Sequence, residues 1–335
     1  MNPVVLPSNR PPERFYRGGR RITDLRGEDP AGEREPEDWV ASVTTVAGEE
    51  RTGLTTLPDG RLLRDAIADD PFAWLGAEHV ARFGVDPMLL VKLLDAGERL
   101  PVHAHPHGTF AHKHLGRAHG KAEAWVILDG GEVHLGLRRD LTTGELDDLL
   151  RRQDSAALLD AMHRIDVRRG DVVYVPPGVL HAIGGGVFLA ELQEPEDLSI
   201  LVEWQGFALD GESDGHLGLG FELALSAVER RARSAEEIGA LVHRALGDTP
   251  LLAAEADEYF RLEWVVADDG APISVAAGFA VVLVLEGALE LAVTGGVLGV
   301  TGGRTLVVPH AAGPLAVRGA GELLVCRPPT AGSPA

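Results

Sequence analysis

Cysteine occurs once in the chain, at Cys326, so no disulfide can close within it and a reducing cytoplasm is the expected setting. Lysine is almost as scarce, present only at Lys92, Lys113 and Lys121, and arginine supplies the rest of the 31 basic residues. Against them stand 51 Asp and Glu, and the net charge of −20 argues against nucleic acid or an anionic membrane as a partner. No apolar run approaches the length needed to cross a bilayer; the longest, VVLVLEGALELAV, is interrupted by Glu286 and Glu290. The opening MNPVVLPSNRPPERF has no apolar h-region, so no signal peptide is expected. One further absence is local: neither lysine nor arginine occurs from Asp171 to Glu229.

Histidine is what the chain has. Six of its 13 histidines fall between Gly97 and Gly130, in GERLPVHAHPHGTFAHKHLGRAHGKAEAWVILDG. His103 and His105 are one residue apart, and on a strand such residues project from the same face. Glu123 follows, ahead of an apolar run, and His181 lies in GDVVYVPPGVLHAIGGG. Two imidazoles on one face, a carboxylate and a third imidazole make a donor set for one divalent metal ion. His107, His112, His114 and His119 read as solvated loop histidines.

At 335 residues the length predicts two domains, and 45% apolar with 24% charged residues is ordinary for a globular protein. Residues 1–15, with Pro3, Pro7, Pro11 and Pro12, are expected to form an irregular arm. GGRRITDL and DWVASVTTVAG read as strands, and residues 61–84 as a helix broken near Pro71. MLLVKLLDAG reads as a buried strand feeding the histidine motif. Residues 106–122 are a polar, glycine-containing insertion, expected to loop over the metal site as a lid. After strands at EAWVILDG and EVHLGLRRD, helix is expected over about 142–165, and again over about 217–246. The second stretch has a Ser234/Glu237 capping box and a stop at Gly247. From Tyr259 onward, short strands alternate with Gly-rich turns. The expected division is 1–86 as a mixed N-terminal part, 87–210 as the metal-binding unit, 211–250 as a helical connector and 251–335 as a metal-free β unit.

The spacings G-x5-H-x-H and E-x6-G from Gly97 to Gly130, with G-x5-P-x-G-x2-H from Gly170 to His181, resemble the two motifs of the cupins. That resemblance implies a mostly β protein of two jelly-roll barrels with helical insertions. The second barrel keeps only a vestige, Gly303 to Pro309, and offers His310 no partner. More specifically, Pro87, Leu89, Leu90, Lys92, Asp95 and Ala96, then Leu100, Val102, His105 and Pro106, then Gly120, Lys121, Glu123, Trp125 and Ile127 resemble the type I mannose-6-phosphate isomerases. GDVVYVPPGVLHAIGGGVFLAELQE, Gly18, Gly19 and Trp39 fit the same family. Membership would imply one zinc ion, a sugar or sugar phosphate as substrate, Glu191 as the proton-carrying base and Lys121 beside the substrate oxygens. Three departures stand out. His103 replaces a glutamine ligand, Leu201 occupies the place of an arginine thought to act in catalysis, and GESDGHLG replaces a downstream G-K-x-R. Arg99, Lys113 and Arg117 are the candidate substitutes for binding a phosphate. Isomerisation of an unphosphorylated sugar and sugar binding without turnover are the alternatives, with a cupin dioxygenase more distant.

Overall fold

Six consecutive residues, Leu90–Asp95, are all buried, which requires cover on both faces. In the computed structural model, which describes residues 1–244 and 251–332, that strand lies inside a six-stranded antiparallel sheet. The order is Val242–His243, Val172–Val175, Glu123–Asp129, Phe188–Gln193, Leu90–Asp95, Glu37–Val40. A five-stranded sheet faces it, in the order Ile200–Leu201, His103–Ala104, His181–Ile183, Gly131–Leu137, Met162–Val167. Trp125, Ile127, Leu94 and Leu189 of the first sheet share one core with Val133, Leu135 and Ile183 of the second.

The third sheet has seven strands. Val4–Leu6, Thr305–Val308, Ala280–Val293, Leu315–Arg327 and Arg261–Asp268 lie in that order, with Ile273–Val275 and Gly296–Thr301 paired to the two longest. The expectation of a mostly β pair of cupin jelly-roll barrels does not hold. The fold is mixed α/β with three antiparallel sheets, and none of them closes on itself among the described residues. Period-two alternation gives the inward face of each strand, but closure needs matched tilt and stagger between the outermost strands. No such ladder forms among the described residues.

Local expectations are corrected in several places. The proline-rich arm contributes a strand, Val4–Leu6, to the edge of the C-terminal sheet. GGRRITDL contains a helix, Arg20–Arg26, whose buried Ile22, Thr23 and Arg26 share one face. Gly19 at φ 103° and Gly27 at φ 64° bracket that helix, and both values favour glycine. The Asp95 carboxylate accepts from the amides of Gly19 (2.8 Å) and Arg21 (3.0 Å), fixing the helix start to the central strand. The helical run 61–84 is three helices, Leu63–Asp69, Pro71–Leu75 and Ala77–Phe83. The insertion 106–122 carries a helix, Gly108–Leu115, where a polar loop is expected. Helix 142–165 ends early: Thr143–Arg152 and Ser155–Asp160 are helical, while Met162–Val167 pairs with Gly131–Leu137. The connector is made of short pieces, including Ala235–Gly239 behind the Ser234/Glu237 capping box; Gly247 lies outside the described residues.

A buried cation ties the two ends of the chain together. Arg26 donates to Thr305 Oγ1 (2.6 Å) and to the carbonyls of Gly303 and Leu6, and its Nε lies 3.3 Å from Asp38 Oδ2. Burial pushes the Asp38 carboxyl up, and Arg26 opposes that shift. Removing one partner from a buried ion pair costs about 3–5 kcal/mol. Arg26→Ala is expected to lower the unfolding free energy by that amount in denaturant titration, with Arg26→Ala/Asp38→Asn recovering part of it. A loss below about 1 kcal/mol would show that the two ends are not coupled through this pair.

Candidate metal centre and its cavity

The five-stranded sheet sets His103 directly opposite His181 in register, and His105 follows one turn of the pleat later. Gly178, at φ 86°, donates its amide to the His105 carbonyl (2.6 Å), so the two histidine-bearing segments are joined by backbone. The three rings lie 4.1–4.9 Å apart between centroids, and one nitrogen from each falls within 4.8 Å of the others. Glu123, from the facing sheet, brings Oε1 to 3.0 Å from His105 Nε2 and Oε2 to 3.7 Å from His181 Nε2.

Each imidazole is held by the same device. Nδ1 of His103 meets the Pro101 carbonyl at 2.8 Å, that of His105 the Leu198 carbonyl at 2.6 Å and that of His181 the Val179 carbonyl at 2.8 Å. A carbonyl can only accept, so Nδ1 carries the proton and Nε2 presents a lone pair inward. Burial, with Lys121 next, lowers His105 to about 4; burial and then His105 lower His181 to about 3; burial and then His181 hold His103 well below the usual histidine range. Burial would raise Glu123, but Lys121 and His105 outweigh it and hold the carboxyl well below its ordinary value. Lys121 Nζ lies 2.7 Å from Glu123 Oε1, and Trp125 donates to Oε2 at 3.2 Å.

The donor set fits a divalent cation. Three buried imidazole nitrogens converge, with the Glu123 carboxylate beside two of them, and His181 Nε2 is buried without a hydrogen-bond partner. Zinc accepts that combination of ligands.

A cavity of about 240 Å3 opens over this cluster, with His103, Lys121, Glu123 and Glu191 in its lining. The cross-strand row Trp39, Lys92, Glu191, Trp125 forms part of the six-stranded sheet's inner face. Lys92 Nζ lies 3.3 Å from Glu191 Oε2, 3.8 Å from Glu37 Oε2 and 4.8 Å from the centre of the Trp39 ring. Burial opposes its charge, but Glu191 and Glu37 raise it above the usual lysine range. Glu37 also accepts from Tyr16 (2.7 Å) and Trp39 (2.6 Å) and pairs with Arg14 at 3.2 Å, and despite burial it is lowered to about 2. Burial, reinforced by Glu123, raises Glu191 to about 7.

No family model matches the chain. Mannose-6-phosphate isomerase of Streptococcus mutans serotype c is 31% identical over 201 residues, which are 55% of this chain and 56% of that protein. Mannose-6-phosphate isomerase ManA of Bacillus subtilis is 38% identical over 120 residues, 32% of this chain and 34% of the relative. The chain thus spans between a third and about a half of the length of these curated relatives. Mannose 6-phosphate isomerase of Bacillus subtilis superposes with a TM-score of 0.75, at 22% identity, over 97% of this chain and 99% of that one. The apo mannose 6-phosphate isomerase of Salmonella typhimurium does so with a TM-score of 0.74, at 15% identity, over 98% and 100%. The chain has the phosphomannose isomerase fold.

The candidate phosphate-binding residues do not reach the cavity. Arg99 grips Glu203 (2.7 Å between Nη1 and Oε2), and Lys113 is exposed on the helix Gly108–Leu115. Arg117 lines a larger neighbouring cavity of about 650 Å3, 4.0 Å from Glu196. The expected lid belongs to that neighbour too. Its ends are pinched by a Lys121 amide to Pro106 carbonyl bond at 3.1 Å, and His119 is moored to Asp86 at 2.7 Å. Cover over the smaller cavity comes instead from Phe15 and Tyr16, Val46 and Ala47, and the segment from Asp197 to Leu217 that includes Leu201. Sequence reasoning missed Arg14 and Glu37 and gave Lys92 no role. For Lys92 the signal was present, as a lone lysine inside an otherwise apolar strand.

Two outcomes follow from this geometry. His105→Ala and His181→Ala should each abolish stoichiometric metal binding by elemental analysis, and retention of full metal in both would disprove the donor set. Between about pH 6.5, where unfolded histidine titrates, and the folded values near 4 and 3, the unfolded chain binds more protons. The metal-free protein should therefore lose stability as pH falls through that window, and His105→Gln should flatten the slope in thermal melts.

Proposed function

We propose that the protein is a metal-dependent aldose–ketose isomerase acting on mannose 6-phosphate or a related sugar. His103, His105, Glu123 and His181 would hold one divalent ion, zinc by likeness to the isomerases it resembles. The observation that carries this reading is a single cavity that brings Lys121 and Glu123, beside the histidine cluster, together with Glu191, a buried carboxyl 3.3 Å from Lys92. A divalent ion held there would supply Lewis-acid polarisation of a substrate carbonyl.

The remaining work falls to the chain's own side chains. Glu191 takes the proton from C2, beside the C1 carbonyl, and returns it to C1, while the proton of the C2 hydroxyl passes to O1 and the carbonyl forms at C2. A carboxyl that burial raises above the usual carboxylate range is suited to both. Lys92, at 3.3 Å, keeps the ionised form compensated as the proton leaves and returns. Lys121, fixed on Glu123, offers its remaining ammonium hydrogens to substrate oxygens on which negative charge develops. Phe15, Leu201, Leu209 and Leu217 keep the cavity apolar on one side and limit exchange with water. The same proposal assigns the chemistry to the region 87–210, leaves the region from 251 onward without metal and sets the protein in the cytoplasm.

Leu201 favours a second reading, sugar binding without turnover, because it stands where the resembled isomerases have an arginine. Metal-loaded protein incubated with aldose in deuterium oxide separates the two. Exchange of the C2 hydrogen together with ketose formation supports the isomerase, whereas saturable binding without exchange supports the binding module. Under the first reading Glu191→Gln should lower kcat by ~10²- to 10⁴-fold at unchanged metal content. The wild-type rate should rise with pH as Glu191 ionises, and the variant should lose that limb. Wild-type kcat in Glu191→Gln would remove Glu191 from the chemistry.

A further inference from the structure

The ionic inventory of the cavity bears on what it can admit. Arg14, Lys92 and Lys121 are its cations, and Glu37, Glu123, Glu191, Asp197 and Asp214 its carboxylates. No cation is free. Arg14 lies between Glu37 (3.2 Å) and Asp197 (3.7 Å), Lys92 between Glu191 (3.3 Å) and Glu37 (3.8 Å), and Lys121 on Glu123 (2.7 Å). Three positive charges face five carboxylates, and even with Glu191 protonated the lining is net negative before any metal binds.

A phosphate dianion is recognised by arginine forks, lysines or backbone amides that have charge and hydrogens to spare. The cavity wall drawn from the lysine- and arginine-free stretch offers Ile183, Leu201, Leu209, Leu217, Ser199 and three carboxylates, Glu191, Asp197 and Asp214, instead. The neighbouring cavity is no better. Arg64, Arg117 and His119 face Glu49, Asp86, Glu196 and Asp197, with His119 committed to Asp86 at 2.7 Å and Arg117 4.0 Å from Glu196. Carboxylates and an apolar wall suit hydroxyl and C–H groups: each hydroxyl donates to an oxygen anion, and each C–H face packs on leucine.

We infer, resting on the isomerase reading, that the substrate is an uncharged aldose and that the cavity discriminates against its phosphate ester. Asp197 and Asp214 are the residues that set this preference, Asp197 by also immobilising Arg14. The test is calorimetric titration of metal-loaded and metal-free protein with mannose, lyxose, mannose 6-phosphate and inorganic phosphate, alongside turnover of the three sugars.

Mannose 6-phosphate is expected to bind at least tenfold more weakly than mannose or lyxose, and inorganic phosphate not to compete with either. Asp197→Asn should narrow the ratio about tenfold. Asp214→Asn, on an exposed helix where folding is not at risk, should narrow it severalfold. Binding of mannose 6-phosphate as tight as that of mannose or tighter, or loss of its affinity in Arg117→Ala, would overturn the inference and leave the isomerase reading standing. Failure of all three sugars to bind or turn over on metal-loaded protein would remove the isomerase reading, and this inference with it.

Discussion

Lys92 is an ammonium ion enclosed by protein, and much of the structure around it exists to make that tolerable. Moving such a charge out of water costs several kcal/mol unless counter-ions come with it. Glu37 and Glu191 supply them from the two strands hydrogen-bonded on either side. The row Trp39, Lys92, Glu191, Trp125 is therefore a statement about register. A slip by one residue would turn Lys92 out of the inner face and take from Glu191 its close cation. The same strand register carries Glu123 two residues from Trp125, so the position of a metal donor is locked to the compensation of a lysine.

The two carboxylates flanking Lys92 are not equivalent, and the difference is environmental. Glu37 accepts from Tyr16 and Trp39 and pairs with Arg14, so its negative charge is fixed near a value of about 2. Glu191 has Lys92 alone at close range and feels Glu123, and it is raised to about 7. One carboxylate anchors the lysine, while the other is free to change its charge. Such a pair, driven apart by surroundings rather than by residue type, marks where acid–base chemistry is built.

How much of this was legible varied with the range of the interactions. The histidine cluster could be read in part because the spacing of His103 and His105 is a strand's own period. The inward face of the strand at Leu90 was legible from its apolar run. Closure into barrels was not, because alternation says nothing about which outer edges meet. GGRRITDL offers too few residues to tell a period of 2 from 3.6, and the decision comes from Asp95, far along the chain, capping the helix. Met162 continues the leucine spacing of the preceding helix, yet pairing with Leu137 draws it into a sheet. Arg14 could not be found, since its meaning lies in Glu37 and Asp197.

A backbone likeness covering nearly the whole chain at 15–22% identity fixes where strands run, and leaves the cavity's lining open. The absence noted first in the sequence, no lysine or arginine from Asp171 to Glu229, acquires its meaning here. That stretch supplies Glu191, Asp197, Leu201, Asp214 and Leu217 to the cavity, so this wall of it carries no lysine or arginine. Basic residues elsewhere do not compensate: Arg99 is bound to Glu203, and Lys113 is exposed on its helix. Electrostatic preference is set by the charges that line a closed space, because solvent screens the rest within about 8–10 Å. In this protein those lining charges sum to negative, and Glu191 is part of that sum.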